Sequence, residues 1–195
     1  MKQRCAGCYT RGSRDAARHR SRTGFTLIEL MITIAIAAIL LTFALPALRE
    51  FILNNRLTAV ANDLVADLAL ARAEAIRLGS RVTICASNNA TSGSATCSGT
   101  DWSLGRLVFS DSATAASIDA GDERLRVYDG SGSGITLTSD STTHNEYLQY
   151  RPSGGTSATG TISFKFCDSR NKGRTVSIAQ SGQVTTTGET GTTCP

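Results

Sequence analysis

The hydrophobic pattern begins with a long apolar run near the N-terminus. Residues 25–45 are apolar except for three threonines and one charged residue, Glu29. At about 1.5 Å per residue, a helix of this length extends roughly 30 Å, which is the thickness of the hydrocarbon core of a bilayer. The pattern therefore predicts a transmembrane helix over residues 25–46, which ends at Pro46.

An amphipathic pattern follows without a break. Apolar residues recur every three or four positions from Leu48 to Leu78, as in a helix that covers a core. Pro46 is expected to kink this helix rather than to begin a new domain, and Gly79 is expected to end it. We therefore expect residues 47–79 to pack on the domain that follows. The charged residues of this segment are expected to occupy mostly the other faces; they are Arg49, Glu50, Arg56, Asp63, Asp67, Arg72, Glu74 and Arg77.

Beyond Gly79, the helical period is replaced by short alternating segments between turns rich in Gly, Ser, Asn and Asp. These segments predict a β-rich head over residues 80–195. The dipeptide Ser181-Gly182 indicates a tight hairpin turn between the last two strands. The predicted strands are Arg81–Ala86, Ser103–Ser110, Glu123–Tyr128, Gly134–Leu137, Glu146–Tyr150, Thr161–Phe166, Arg174–Ala179 and Gln183–Thr187.

The charges are unevenly distributed along the chain. The formal net charge is +4, but residues 1–24 hold seven basic residues against one acid, Asp15. The remainder is slightly acidic, so the basic pI does not support nucleic-acid binding. The basic cluster before the apolar run predicts a cytoplasmic N-terminus and an exported head. On charge and length alone, an uncleaved signal anchor explains this pattern equally well.

A short motif marks the start of the apolar run. Residues 24–30 read Gly-Phe-Thr-Leu-Ile-Glu-Leu, which resembles the prepilin peptidase site of type IV pilins and type II secretion pseudopilins. The resemblance implies that a cytoplasmic leader, residues 1–24, is cleaved after Gly24 and that Phe25 is then N-methylated. Glu29 and Pro46 become the fifth and twenty-second mature residues, positions that this family commonly uses.

Glu29 is a functional candidate because a charge inside the membrane costs on the order of 2–3 kcal/mol or more. Cleavage before Phe25 creates an α-amino group four residues away. In a filament, we expect this amine to pair with Glu29 of a neighbouring subunit, which offsets the burial cost and sets axial register. The alternative is that Glu29 merely reaches the nearby membrane interface.

The six cysteines divide between leader and head. Cys5 and Cys8 have a CxxC spacing but no second pair, so the spacing does not indicate a zinc site. The four head cysteines allow three pairings in an oxidising compartment. We favour Cys85–Cys97 and Cys167–Cys194 because each closes a local loop, and the sequence leaves the other pairings open. No CxxC pair occurs in the head, and no metal or cofactor is expected.

Three head blocks refine the resemblance to the GspH/FimT/FimU family of minor pilins and pseudopilins. The resemblance implies a pilin-like fold of the α+β class, with a long N-terminal helix packed on a C-terminal antiparallel β-sheet head. Trp102 and Phe109 are expected to be core anchors. The blocks are Leu68–Arg77 with Val82–Ser87, Asp101–Asp111, and Phe166–Arg170 with Gly173–Ile178.

The resemblance implies a structural function. The chain is expected to be a minor type IV pilin or type II secretion pseudopilin in the filament-priming or tip complex, serving pilus biogenesis or protein secretion. Its implied partners are other minor and major pilin or pseudopilin subunits, prepilin peptidase and the inner-membrane assembly platform. It is expected to cross the bacterial inner membrane once, with a periplasmic head, before it enters a pilus or pseudopilus.

An adaptor for secreted substrates at a pseudopilus tip is an alternative function, and DNA binding and catalysis are two others. FimT-like members bind DNA for uptake through a GRxR stretch in the C-terminal hairpin, but Gly182–Thr185 occupies this place and lacks both arginines. Arg170, Lys172 and Arg174 are candidate nucleic-acid contacts, yet three cations on an acidic protein offer few phosphate contacts. No nucleophile elbow or phosphate loop occurs, and His144 is expected to be solvated, so catalysis is not expected.

Overall fold

The protein was analysed as a computed structural model, in which one long helix precedes a β-rich head. Helix α1 comprises Leu27–Leu78 and contains Pro46. The chain divides after Leu45 into two compact units. Most of the predicted leader, with Cys5 and Cys8, lies outside the described residues. The structure describes residues 24–130, 134–141, 144, 146–188 and 194.

Three threonine hydroxyls make hydrogen bonds to the backbone in the apolar half of α1. The backbone N–H of Glu29 donates to Thr26 Oγ1 at 3.2 Å, and the N–H of Leu30 donates to the Thr26 carbonyl at 3.1 Å. Thr26 is therefore the N-cap. The hydroxyls of Thr33 and Thr42 donate to helix carbonyls three residues earlier. These intrahelical bonds reduce the cost of placing the threonines in lipid.

The apolar half of α1 has the length and composition of a membrane span. Within the described ranges, α1 is the one helix that meets both criteria. Large apolar side chains are exposed from Phe25 to Ile52. Such a continuous exposed apolar surface requires lipid or protein to cover it.

Helix α1 ends at Leu78, and Gly79 has a φ of +62°. This left-handed conformation closes helices and favours glycine, as the sequence predicts. Eight strands follow within the described ranges. Seven of them contain most of one predicted segment, and the fourth strand contains the second half of its predicted segment. They are β1 Val82–Ala86, β2 Arg106–Ser110, β3 Arg124–Tyr128, β4 Thr136–Ser139, β5 Tyr147–Tyr150, β6 Ile162–Cys167, β7 Gly173–Ile178 and β8 Val184–Thr187.

The largest boundary difference lies before β2. Residues 103–105 were predicted to be part of the strand, but they belong to a turn and its exit. A Cβ atom on Gly105 would lie 2.7 Å from the carbonyl oxygen of Ser87, so the chain passes too close for any other residue. The glycine therefore permits a close backbone contact before β2 begins at Arg106.

The strands form two antiparallel four-stranded sheets. The first sheet has the order β3-β2-β1-β5, and the second has the order β4-β6-β7-β8. The predicted fold, a long helix packed on an antiparallel β head, is confirmed. The division into two sheets was not predicted, because alternation within a strand does not specify which strand is its neighbour.

The main core lies between residues 57–75 of α1 and the inner faces of both sheets. Alternation along β6 explains its contribution, since Ile162, Phe164 and Phe166 are buried while the residues between them are half-buried. The ring of Trp102 meets that of Phe164 edge-on, with 4.8 Å between centroids. This contact joins the turn before β2 to the second sheet.

A smaller core covers the opposite face of the first sheet. Phe109 is fully buried there, as is Leu107. Cys85, also in this cluster, forms a disulfide with Cys97, and the second bond joins Cys167 to Cys194. Because β1 contacts a core on each face, all five of its residues are buried.

Candidate processing and assembly site

The segment ahead of α1 is open to solvent. Gly24, Phe25 and Thr26 are all exposed, with Phe25 at 81 %. A Cβ atom added to Gly24 would meet no other atom within 4 Å. Contacts within the described part of the chain therefore do not require glycine at this position.

Glu29 lies in the first turn of α1, directly after the Thr26 cap. Its side chain is exposed. An acidic residue here is stabilised by the partial positive charge of the helix N-terminus. The exposed carboxylate is also free to meet a cation outside its own helix.

Two residues of the basic cluster at the β6–β7 turn, Arg170 and Lys172, contact α1. Arg170 donates to Asp168 Oδ2 through Nε at 2.8 Å and to Asn54 Oδ1 through Nη2 at 2.7 Å. Glu50 lies 3.9 Å from Arg170 and 3.5 Å from Lys172. Arg174 is half-buried. These contacts occupy Arg170 and Lys172 within the protein, which leaves little charge for a phosphate backbone.

Asp168 organises this turn. Burial alone would raise the pKa of its carboxyl, but hydrogen bonds from the Arg170 side chain and from the N–H groups of Arg170 and Lys172 hold the pKa below its usual value. The depressed folded-state pKa means that the ionised carboxylate stabilises the fold above the unfolded-state pKa of about 4. That stabilisation is lost as the pH falls through the folded-state pKa.

Asp168→Asn is expected to reduce the free energy of unfolding by about 1–3 kcal/mol at pH 7, because charge-assisted hydrogen bonds are lost. Below pH ~4 the difference from wild type should shrink. Urea denaturation at several pH values measures both effects. Asp129→Asn, at an exposed position, is the matched control. A deficit independent of pH would show that Asp168 does not contribute through its charge.

A second charged cluster lies inside the head. Asp67 is fully buried on α1, so its assignment to a solvent-exposed face is wrong. Nε of Arg106 lies 3.0 Å from Asp67 Oδ2, and Nε of Arg126 lies 2.8 Å from Oδ1. Burial raises the pKa of Asp67, and both arginines oppose this effect. The helical spacing could have predicted this burial, because Asp67 follows the buried Leu64 by three residues and precedes the buried Ala71 by four.

Arg106 completes the cluster from β2. Its side chain is fully buried, donates to the Trp102 carbonyl through Nη1 at 3.3 Å, and lies 3.8 Å above the Tyr128 ring. The guanidinium thus contacts a carboxylate, a carbonyl and an aromatic face. These contacts tie α1 to the first sheet.

The β7–β8 turn occupies the place of the FimT-like stretch and contacts α1. Arg72 donates to the carbonyls of Gly182 at 3.3 Å and Ser181 at 3.4 Å, so it is not simply a solvated residue. Gly182 has a φ of +79°. A Cβ atom there would lie 2.1 Å from the Gly154 carbonyl oxygen, so glycine is required on both grounds.

His144 is half-buried rather than solvated. Its backbone N–H donates to Ser141 Oγ at 3.1 Å. Across the described ranges, no group of three or more His, Cys, Asp or Glu residues is placed to hold a metal ion.

Comparison with known proteins places these features in a family. The model of the family described as Type II transport protein GspH matches residues 60–182. The prokaryotic N-terminal methylation motif matches residues 19–45, which include Gly24, Phe25 and Glu29.

Two curated relatives from Moraxella bovis match shorter stretches. Fimbrial protein Q is 44 % identical over 64 residues, which cover 30 % of this chain and 41 % of that protein. The type IV major alpha-pilin is 50 % identical over 46 residues, which cover 24 % of this chain and 29 % of that protein. The chain thus spans less than half the length of each of these relatives.

Two crystal structures of the type IV minor pilin FimU from Pseudomonas aeruginosa strain PAO1 share the fold. Their TM-scores are 0.56 and 0.52, each at 24 % identity. The matches cover 71 % and 68 % of this chain and 93 % and 94 % of the FimU chains. Because the family model covers more than half of the sequence and the methylation motif precedes it, the chain belongs to the GspH family and is a pilin-type protein.

Proposed function

We propose that the protein is a minor pilin or pseudopilin, a structural subunit of the priming or tip complex of a type IV pilus or type II secretion pseudopilus. The observation that carries this proposal is the combination of an exposed apolar helix, capped at Thr26, with an accessible methylation motif. An exposed helix of this kind serves both as an anchor in lipid and as a surface on which other subunits pack.

Processing prepares the helix for assembly. The leader, residues 1–24, is cut by prepilin peptidase at the cytoplasmic face of the inner membrane, and Phe25 is methylated. Residues 25–46 then hold the protein in the membrane, and the head is periplasmic. The assembly platform of the inner membrane extracts the subunit, and the amine of Phe25 pairs with Glu29 of a neighbour.

The remaining regions present the subunit to its partners. Residues 47–79 pack on the head, residues 80–195, and the disulfides Cys85–Cys97 and Cys167–Cys194 stabilise it. Other major and minor pilin or pseudopilin subunits are the partners of the helix and the head. The role is structural rather than catalytic, and it requires no cofactor.

The DNA-binding alternative is less well supported. Arg170 and Lys172 contact acidic residues, and the hairpin lacks the two arginines of the GRxR stretch. Few cations therefore remain for phosphate contacts at this end of the head.

Mass spectrometry of the membrane-extracted protein tests the proposed function. The expected N-terminus is N-methylated Phe25, and the processed form should enter the sheared filament fraction or a cross-linked pseudopilus. Gly24→Val should retain the leader, because the β-branched side chain obstructs the peptidase site, whereas Thr26→Ser keeps the cap and should be processed normally. An intact Met1 terminus, or a new terminus elsewhere, would contradict the proposal.

A further inference from the structure

A groove of about 450 Å³ lies between α1 and the β7–β8 turn. Its volume falls within the range of pockets that bind ligands or side chains. The walls are largely apolar, and Ile76 is 54 % exposed beside it. The residues that line most of it are Leu68, Arg72, Ile76, Gly182, Gln183 and Val184.

The edge of the second sheet adjoins this groove. Strand β8 is the last strand in that sheet and pairs with β7 alone among the described strands. Val184 belongs both to β8 and to the groove wall. The strand has no charged residue or proline, so it lacks the features that usually prevent another strand from pairing with an edge.

The other edges differ in charge, cover or position. Strand β3 carries Arg124 and Arg126, which discourage pairing. The outer side of β5 is covered, because the N–H of Ser157 donates to the Gln149 carbonyl at 2.9 Å. Strand β4 is uncharged, but it lies at the opposite end of its sheet from β8. Among these edges, β8 combines a side on which no described strand pairs with an adjacent apolar groove.

The charge of Arg72 indicates which chemical group the groove binds. Arg72 lies in its wall and donates only to backbone carbonyls, with no carboxylate in ion-pair distance within the described part of the chain. A carboxylate complements the positive charge of Arg72 in this apolar groove.

We propose that the groove and the open edge of β8 bind an extended, carboxylate-bearing segment of another pilin-type subunit. The segment adds a strand beside β8, places an apolar side chain in the groove and pairs its carboxylate with Arg72. The inference rests on the proposed function, which supplies the neighbouring subunit. One cation between apolar walls suits such a segment better than a nucleic acid, which requires many phosphate contacts.

Site-specific photo-cross-linking of the full chain in native membranes tests this inference. With p-benzoylphenylalanine in place of Gln183, irradiation should give a product with another pilin-type subunit. The cross-linked peptide should come from an extended segment that contains Asp or Glu. The same probe in place of Val127 on β3 should give no such product.

Variants of Arg72 separate charge from folding. Arg72→Gln should reduce the yield at least about fivefold, because a charge-assisted hydrogen bond is lost. Arg72→Lys, which keeps the charge, should retain most of the yield. Arg77→Gln, at an exposed arginine on the same helix, should leave it unchanged. A yield insensitive to Arg72→Gln would overturn the inference, as would a product with DNA or with a protein outside the pilin class.

The same cells distinguish the two proposals. If the N-terminus is Phe25 and the chain enters filaments, yet Gln183 gives no product, the docking inference is wrong and the proposed function stands. If the leader is retained and the chain stays out of filaments, the proposed function is wrong, and the docking inference that rests on it is wrong with it.

Discussion

Arg106→Ala is expected to lower the free energy of unfolding by about 3–5 kcal/mol, because it leaves the buried Asp67 carboxylate without its principal partner. Both side chains are almost wholly buried, at 0 % and 1 % exposure. Urea denaturation at pH 7 measures the change. Arg126→Ala, which removes a side chain that is 39 % exposed, should cost much less because water screens that pair.

The pH dependence of the stability of Arg106→Ala tests whether the buried Asp67 charge causes the loss of stability. Burial already raises the pKa of Asp67, and loss of Arg106 should raise it further. A raised folded-state pKa means that stability increases as the pH falls toward the unfolded-state value. The deficit of Arg106→Ala should therefore shrink on acidification. The double variant Asp67→Leu/Arg106→Met should be more stable than Arg106→Ala, and equal stability would exclude the buried charge as the cause.

Glu29→Ala is expected to reduce incorporation into filaments at least about tenfold, since a close ion pair in a low-dielectric environment is worth more than 1.4 kcal/mol. Membrane insertion should not suffer, because the substitution removes a charge from the apolar segment. Quantitative immunoblotting of membrane and filament fractions gives the ratio. Glu29→Gln should fail similarly, which separates charge from side-chain size.

Thr33→Ala is the matched control within the same helix. It removes a hydroxyl that donates to the Leu30 carbonyl at 2.8 Å and should leave incorporation unchanged. Cleavage before Phe25 should proceed in all three variants, so a defect in Glu29→Ala would not reflect processing. Wild-type incorporation of Glu29→Ala would remove the proposed role of this carboxylate.

Local sequence rules predicted the elements of this fold well. The end of α1 at Leu78 follows from Gly79, and the Ser181-Gly182 turn joins β7 to β8. These features depend on neighbouring residues, whose dihedral preferences are encoded locally. The start of β2 was missed because Gly105 is required by a contact with Ser87, which is distant in sequence.

The charged residues show where sequence reasoning fails. Asp67 has the polarity of a solvent-exposed residue, but its position on the apolar stripe and its partner Arg106 decide its burial. Arg170 and Lys172 suggested a basic surface, whereas Glu50 and Asn54 on α1 bind them. Burial of a charge depends on a partner from another element, and that partner has no fixed sequence separation.

The sequence by itself determined the membrane-anchored plan of this protein: the apolar run from Phe25, the methylation motif and the order of helix and strands. These depend on hydrophobicity and local dihedral preference, which each segment carries wherever it lies. Only the tertiary structure decided the division into two sheets, the burial of Asp67, and the groove beside β8. Each of these features depends on contacts between segments that are distant in sequence. Such contacts are determined by the packing of the whole core.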